Sequence, residues 1–474
     1  MPPIVATIVF AIGIFGLLYL DRDRNYRPSK ALWIPAAWLF LLSSRPVSTW
    51  LGMTPAMDRA EAYIEGSPID RAVFMALLVA GLGVLVGRAE RVGPLLRRNA
   101  PIVLFFSYCA VSVAWSDFPF VAFKRWTKAL GDVAMILVIL TDPKPMRALR
   151  WLMTRLGYVL FPLSVLFIRY YPNLGRRLTN SWTLEPVGIG TQKNGLGMIC
   201  LVYGLGFLSY LLAAHRDRQD PSRSGRMVAF GTILVVIAWL LWVCDSKSAI
   251  CSLGMAGGIM LLASRPSLAC KRSVVHLLVL TALSVSVYSV FFDSAGSLVQ
   301  GLGRDPSLTG RTAVWNLVLS TRTNPWVGTG FESFWLGQRL DEMRNALPNL
   351  DINEAHNGYL EVYANLGWTG VSLLALLLVT GYRKIIAKFR QDPGTGSLFL
   401  AYLLATVCCS FSESAFRMLS TSWFFLLLAV LAASLAASRE EVRQTDAGQA
   451  DDSGDRPAAV LYQAHEREKA RATW

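Results

Sequence analysis

The chain has 474 residues, 53% of them hydrophobic and only 16% charged, with the apolar residues in long blocks rather than at amphipathic spacing. That is a membrane composition and argues against a soluble globular chain. A formal net charge of +14 would suggest nucleic acid in a soluble protein, but here the basic residues fall in alternate short loops, so they report topology and no nucleic-acid partner is expected.

Thirteen runs are long enough to cross a hydrocarbon core, near residues 4–20, 31–48, 71–88, 101–115, 127–141, 150–168, 194–213, 227–244, 247–264, 273–292, 366–382, 397–412 and 417–437. They predict an all-α polytopic membrane protein with about 12–13 transmembrane helices. The first run has a basic cluster after it and none before it, the reverse of a cleavable signal peptide, so it reads as a retained span. Loops at 21–30, 88–99, 142–150, 214–226, 264–272 and 382–392 are rich in Lys and Arg and should face the cytoplasm. The register places the N-terminus outside and the C-terminus inside. Of the seven cysteines, six lie in apolar runs and Cys270 in an inner loop, with no disulfide framework or metal spacing.

One outer loop, "RYYPNLGRRLTNSWTLEPVGIGTQKNG" (169–195), holds Arg169, Arg176, Arg177 and Lys193 against the positive-inside trend, which invites an anionic ligand. The long outer loop, 293–365, is rich in aromatic residues, so composition argues against disorder. Two helices are expected in it. "TGRTAVWNLVLSTRTNP" has Thr309 as a cap and Pro325 as a stop, and "ESFWLGQRLDEMRNAL" sets Leu336, Leu340, Met343 and Leu347 at helical spacing. Such helices can lie flat on the membrane as an interfacial cover. The expected organisation is ten spans over 1–292, the long loop over 293–365, three spans over 366–437 and a disordered cytoplasmic tail over 438–474.

Outside the tail the histidines are His215, His276 and His356, and only His356 falls on the outer side. A neutral imidazole suits general-base work on a hydroxyl, whereas the bland alternative is a loop histidine capping the helix that begins near Asn357. The same face carries Arg311, Lys247, Lys193 and the cluster Lys124, Arg125 and Lys128. Singly these read as interfacial cations; together they suggest an anion site. Lys247 sits in the short turn "WVCDSKSAI", at headgroup depth. Asp132, inside the fifth run, has a ready partner in Lys128 four residues earlier.

The stretch "SLTGRTAVWNLVLSTRTNPWVGTGFESFW", followed by "EAHNGYLEVYANLGWTG", resembles the signature region of the O-antigen ligase and Wzy-type polysaccharide polymerase superfamily. Its elements are Gly-Arg-x-x-x-Trp, Pro-x-x-Gly-x-Gly-x-x-x-Phe and His-Asn before a span. "SVAWSDFPFVAFKRW" (112–126) and "GIGTQKNGLG" (188–197) further resemble the ExoQ-like exopolysaccharide-production branch. The resemblance implies a GT-C-type glycosyltransferase, metal-independent and without a cofactor, whose donor is an oligosaccharide on polyprenyl (undecaprenyl) diphosphate. It implies as acceptor a growing polymer or lipid A core, and chain-length regulators or export proteins as partners.

By the same resemblance, His356 matches the family's histidine and Arg311 its arginine, the catalytic pair. Lys247, Lys193, Asn194, Arg125, Asn357 and Glu332 are the residues expected on pyrophosphate or sugar. One of Glu332, Glu354 and Glu361 is expected to orient His356 or bind sugar hydroxyls. Physical chemistry agrees with the roles: a departing diphosphate needs charge stabilisation, which guanidinium forks supply, and a sugar hydroxyl needs a base. Polymerase and ligase both remain open at this point. From another class, a secondary transporter or flippase also has a dozen spans, but would place its ionisable groups near mid-membrane, whereas here they cluster at span ends.

Overall fold

The computed structural model describes residues 1–23, 26–53, 66–178, 183–264, 272–291, 311–348 and 352–435. A helix underlies each of the thirteen apolar runs. In chain order the helices are α1 (Pro3–Leu20), α2 (Trp33–Leu42), α3 (Pro68–Val86), α4 (Ala89–Arg98), α5 (Ala100–Val111), α6 (Pro119–Leu140), α7 (Pro145–Tyr170) and α8 (Lys193–Arg216). They continue with α9 (Arg223–Cys244), α10 (Lys247–Ala263), α11 (Arg272–Phe291), α12 (Arg311–Ser320), α13 (Gly337–Ala346), α14 (Gly358–Gln391) and α15 (Pro393–Cys409). The last is α16 (Thr421–Leu435). Six of them, α1, α3, α7, α8, α9 and α14, are long and apolar enough to cross a membrane. The protein is an all-α polytopic membrane protein. The expected tail, 438–474, lies outside the described residues.

Helices dominate because hydrocarbon offers no partner for a backbone N–H or C=O, so each segment must satisfy its own. Proline opens α1, α3, α6, α7 and α15, where its missing N–H costs nothing. Helix α8 packs against α9, α10 and α15, and every residue of α15 from Gly396 to Cys409 is buried. By contrast α1 keeps Ile4, Ile12 and Phe15 exposed, as a lipid-facing helix does. Small residues admit the close contacts: a Cβ at Gly131 would meet the Trp38 ring within 2.0 Å, and one at Gly157 the Phe207 ring within 2.4 Å.

Trp38 reaches that position to bond Asp132. Its Nε1 donates to Asp132 Oδ1 at 2.9 Å, and Leu419 N donates to Oδ2 at 3.1 Å. The expected Asp132–Lys128 pair is therefore not formed; Lys128 lies over the Phe74 ring instead. A buried carboxylate is best served by donors that cost no second desolvated charge, and an indole and a backbone N–H are such donors.

The segment 169–195 departs from the expected loop. Arg176–Leu178 (β1) pairs antiparallel with Leu184–Pro186 (β2), setting Arg177 opposite Glu185. Within 293–365, residues 293–310 and 349–351, including Thr309, lie outside the described residues. Helix α12 ends at Ser320, short of Pro325, where Ser320 and Thr321 hydroxyls both bond back to the Leu317 carbonyl. Helix α13 begins at Gly337, later than the sequence pattern suggests, because Glu332 adopts φ 52° and Leu336 is extended. Neither helix is merely a flat cover. Val314, Val318, Phe334, Trp335, Leu340, Met343, Ile352 and Ala355 form a second, smaller core with Ala364 of α14.

Helix α14 is broken at Gly367, whose φ of 63° and ψ of −167° suit glycine alone. The turn at 325–330 fits into the break: Thr329 N and Gly330 N donate to Ala364 O and Asn365 O, and Trp368 N and Thr369 N donate to Pro325 O and Trp326 O. Gly328, at φ 66°, lies so close that a Cβ there would meet the Asn365 carbonyl carbon at 2.4 Å. The Pro-x-x-Gly-x-Gly element is thus the strip of backbone that satisfies the interrupted helix.

Candidate active site

Helices α8, α10 and α12 begin at one place, with Lys193 and Asn194, Lys247 and Ser248, and Arg311 as their first residues. Together with His356 and Glu413 they line a cavity of about 210 Å³. The N-termini of α8 and α10 add positive dipole ends to three cationic side chains, so the cavity favours an anion.

Each element is set by contacts the sequence makes locally. Arg45, buried after α2, donates to the carbonyls of Gly188 at 2.9 Å, Gly190 at 3.0 Å and Leu174, and so fixes the loop that delivers Lys193. Asp245 takes the left-handed conformation at φ 48°, which turns the chain sharply between α9 and α10 and brings Lys247 to the rim. His356 is itself left-handed at φ 50°. Its loop is held by Trp315 Nε1 on the Ala355 carbonyl at 2.8 Å and by Ala355 N on Glu361 Oε1 at 2.5 Å. Asn357, not His356, caps α14, accepting from Tyr359 N at 3.0 Å and Leu360 N at 3.1 Å.

All three cations have carboxylate partners, and burial separates them. Lys193–Glu185 at 2.5 Å and Lys247–Asp245 at 2.8 Å are open to solvent, with side chains 31%/29% and 34%/58% exposed. Such pairs contribute about 0–1 kcal/mol and yield readily to a multivalent anion. Arg311 Nη2 meets Glu413 Oε1 at 3.0 Å with side chains only 14% and 9% exposed. A pair this enclosed costs about 3–5 kcal/mol when one partner is removed.

The imidazole stands between two carboxylates. His356 Nδ1 is 3.1 Å from Glu354 Oε1 and 3.6 Å from Glu413 Oε2, yet is aligned for a hydrogen bond with neither. Burial alone would lower its pKa; Glu413 and Glu354 outweigh that and Arg311's opposition, so the pKa is raised above the ordinary 6.5. Donor atoms of Glu354, His356 and Glu413 lie within 4.8 Å of one another. Glu413 also meets Arg311 and Glu354 also meets Arg417, so the three groups stand within an ion-pair network.

Behind Glu354 the network continues. Arg417 reaches Glu354 Oε2 through Nη1 and Glu332 Oε2 through Nε, both at 3.3 Å. Glu332, Glu354 and Glu361 overcome the effect of burial and raise the Arg417 pKa. Arg125 donates to the Glu332 carbonyl. Glu361 accepts from Trp335 Nε1 and from the Ala355 backbone and does not touch His356.

Of the residues the sequence pointed to, His356, Arg311, Lys247, Lys193 and Asn194 converge on the cavity. Arg125 and Glu332 lie in the network behind it, and Asn357 is occupied as a cap. Among the three carboxylates weighed for His356, Glu354 makes the contact. Glu413, Arg417, Arg45 and Ser248 were not anticipated. A signal existed for the first two: they are the only charged residues between Asp392 and Arg439.

A helical, multi-pass membrane protein with a histidine set over a cation-lined cavity at the ends of its helices is the class defined so far. Residues 232–375 match the O-antigen ligase family, a stretch that includes Lys247, Arg311 and His356 and leaves out Lys193, Asn194 and Glu413. The chain is 24% identical over 312 residues to the exopolysaccharide production protein ExoQ of Rhizobium meliloti (strain 1021), covering 63% of this chain and 68% of that protein. The resemblance to the O-antigen ligase superfamily and its ExoQ-like branch, read from the motifs, is borne out, and the chain is a membrane protein of polysaccharide chemistry.

Proposed function

We propose that this protein is a glycosyltransferase of the bacterial inner membrane. It moves an oligosaccharide from a polyprenyl (undecaprenyl) diphosphate carrier to a saccharide acceptor on the periplasmic face, extending exopolysaccharide or O-antigen repeat units. The observation that carries this reading is the convergence of Lys193, Lys247, Arg311 and His356 on one cavity at the ends of apolar helices. A prenyl diphosphate lying in the bilayer presents its charge at that depth.

The chemistry follows from the arrangement. The acceptor oxygen attacks the anomeric carbon as the bond from that carbon to the diphosphate oxygen breaks, and its electron pair leaves with the diphosphate. Arg311, Lys247 and Lys193 take up the developing charge without a metal. The hydroxyl proton passes to His356 and later to water. Because Nδ1 faces Glu354 and Glu413, it carries the ring proton in the resting form, and Nε2 is the atom that accepts. Attack opposite the leaving group inverts the anomeric centre.

The ExoQ likeness favours polymer extension over transfer to lipid A core. Purified protein given the polyprenyl-diphosphate oligosaccharide of its source cells, with and without lipid A core, tests this. A ladder of lengthened glycan on the carrier is the expected product. Glycan joined to lipid A core makes the protein a ligase, and carrier movement across vesicles with no new glycosidic bond makes it a transporter.

A further inference from the structure

Glu413 belongs to the 410–420 connection, beyond the stretch that matches the family, and stands where the anion site and the base meet. One oxygen holds Arg311 at 3.0 Å, the other lies 3.6 Å from His356 Nδ1, and Asn194 Nδ2 reaches both at 3.2 and 3.4 Å. Resting on the donor-site reading above, we infer that Glu413 is a donor-responsive positioning residue: in the empty site it neutralises Arg311, and a diphosphate that takes Arg311 releases the carboxylate to orient His356.

Three features support it. First, the backbone at 413 is fixed, which leaves the side chain as the part that can answer a change at Arg311: Glu413 N donates to Cys409 O at 2.8 Å, and its carbonyl accepts from Gly358 N at 3.1 Å and Ala415 N at 2.9 Å. Second, His356 Nδ1 is a buried donor with two carboxylates within reach and no aligned bond, a deficit that a small shift of Glu413 removes. Third, a diphosphate bears more charge than a carboxylate and accepts from more directions, so it displaces Glu413 from Arg311 and Asn194 together. The charged and titratable groups facing His356 are Glu354 from its own loop, Glu413 from the 410–420 connection, Arg311 from α12, Lys193 from α8 and Lys247 from α10. Among the described residues only Glu413 touches both the base and a donor-binding cation. The consequence is an order of events: the hydroxyl is activated after the donor is seated, and the empty enzyme holds its base poorly oriented.

The test uses the full chain in detergent or nanodiscs, with inorganic pyrophosphate as the binding probe by calorimetry and the transfer assay above as the rate. Glu413→Gln should bind pyrophosphate roughly tenfold more tightly, because its competitor for Arg311 has lost its charge. It should transfer about 10²-fold more slowly, because His356 loses its orienting partner. Removing a negative neighbour lowers the His356 pKa, so the acid limb of the kcat profile should move to lower pH. A merely structural glutamate would not tighten pyrophosphate binding, and unchanged or weaker binding by Glu413→Gln overturns the inference, as does tighter binding with undiminished transfer. Glu413→Asp, which keeps the charge but withdraws it by one methylene, should give the same split and serves if the glutamine variant does not accumulate. Wild-type pyrophosphate binding in Arg311→Ala would sink the donor-site reading itself, an outcome distinct from either of these.

Discussion

Two clusters of charge meet at His356, built from the same residue types and suited to different ends. On one side Lys193, Lys247 and Arg311 border about 210 Å³ of open volume, and two of their three carboxylate partners are solvent-exposed. On the other, Arg417 is surrounded by Glu332, Glu354 and Glu361, next to a void of about 30 Å³. The second space admits about one water. Free volume and the ratio of cations to carboxylates, rather than the residues themselves, separate a site that can receive an anion from a network that braces it.

The largest expected effect is on the side of the base. His356→Ala should reduce glycan transfer by about 10³-fold while leaving membrane insertion and pyrophosphate affinity intact. Full polymer formation by that variant would remove the base assignment. Arg311→Lys keeps the charge and loses the fork, and transfer should fall by about 10²-fold. Wild-type turnover there means that Arg311 does not clamp the diphosphate.

Arg417→Ala sharpens the contrast between the clusters. It leaves three carboxylates facing one another and should lower thermal stability by about 2 kcal/mol, with pyrophosphate affinity unchanged. If it weakened pyrophosphate binding as Arg311→Ala does, the two clusters would be one site. The pH dependence is the smallest effect. His356 must be neutral to act, and its raised pKa holds the proton to higher pH, so kcat should fall on acidification with a midpoint above 6.5. A midpoint below 6.5 would mean that burial outweighs the two carboxylates.

The spans were legible because a hydrocarbon core demands uninterrupted apolar helix, and that demand is written in each run of sequence. The convergence of Lys193, Lys247, Arg311 and His356 was legible because each opens a helix or stands just before one, where motif and topology coincide. Glu413 and Arg417 were hidden by the same logic: the connection "SFSESAFRMLS" lies between two apolar runs and reads as their edges. The orienting carboxylate was sought near His356 in sequence, and Glu354 is there; Glu413 reaches the same ring from 57 residues away (413 − 356). The pairing of Arg176–Leu178 with Leu184–Pro186 escaped because three-residue strands are too short to show alternation.

The break at Gly367 also bears on which parts of the chain can move separately. The 325–330 turn is stitched by four backbone hydrogen bonds to a helix that continues through the bilayer, Thr329 and Gly330 on one side of the break, Trp368 and Thr369 on the other. A segment so fastened does not swing aside independently of the helix. The 325–330 turn and the two halves of α14 therefore behave as one body, and a change in the angle at Gly367 would be passed directly to Phe331 and Glu332, the next residues along the chain.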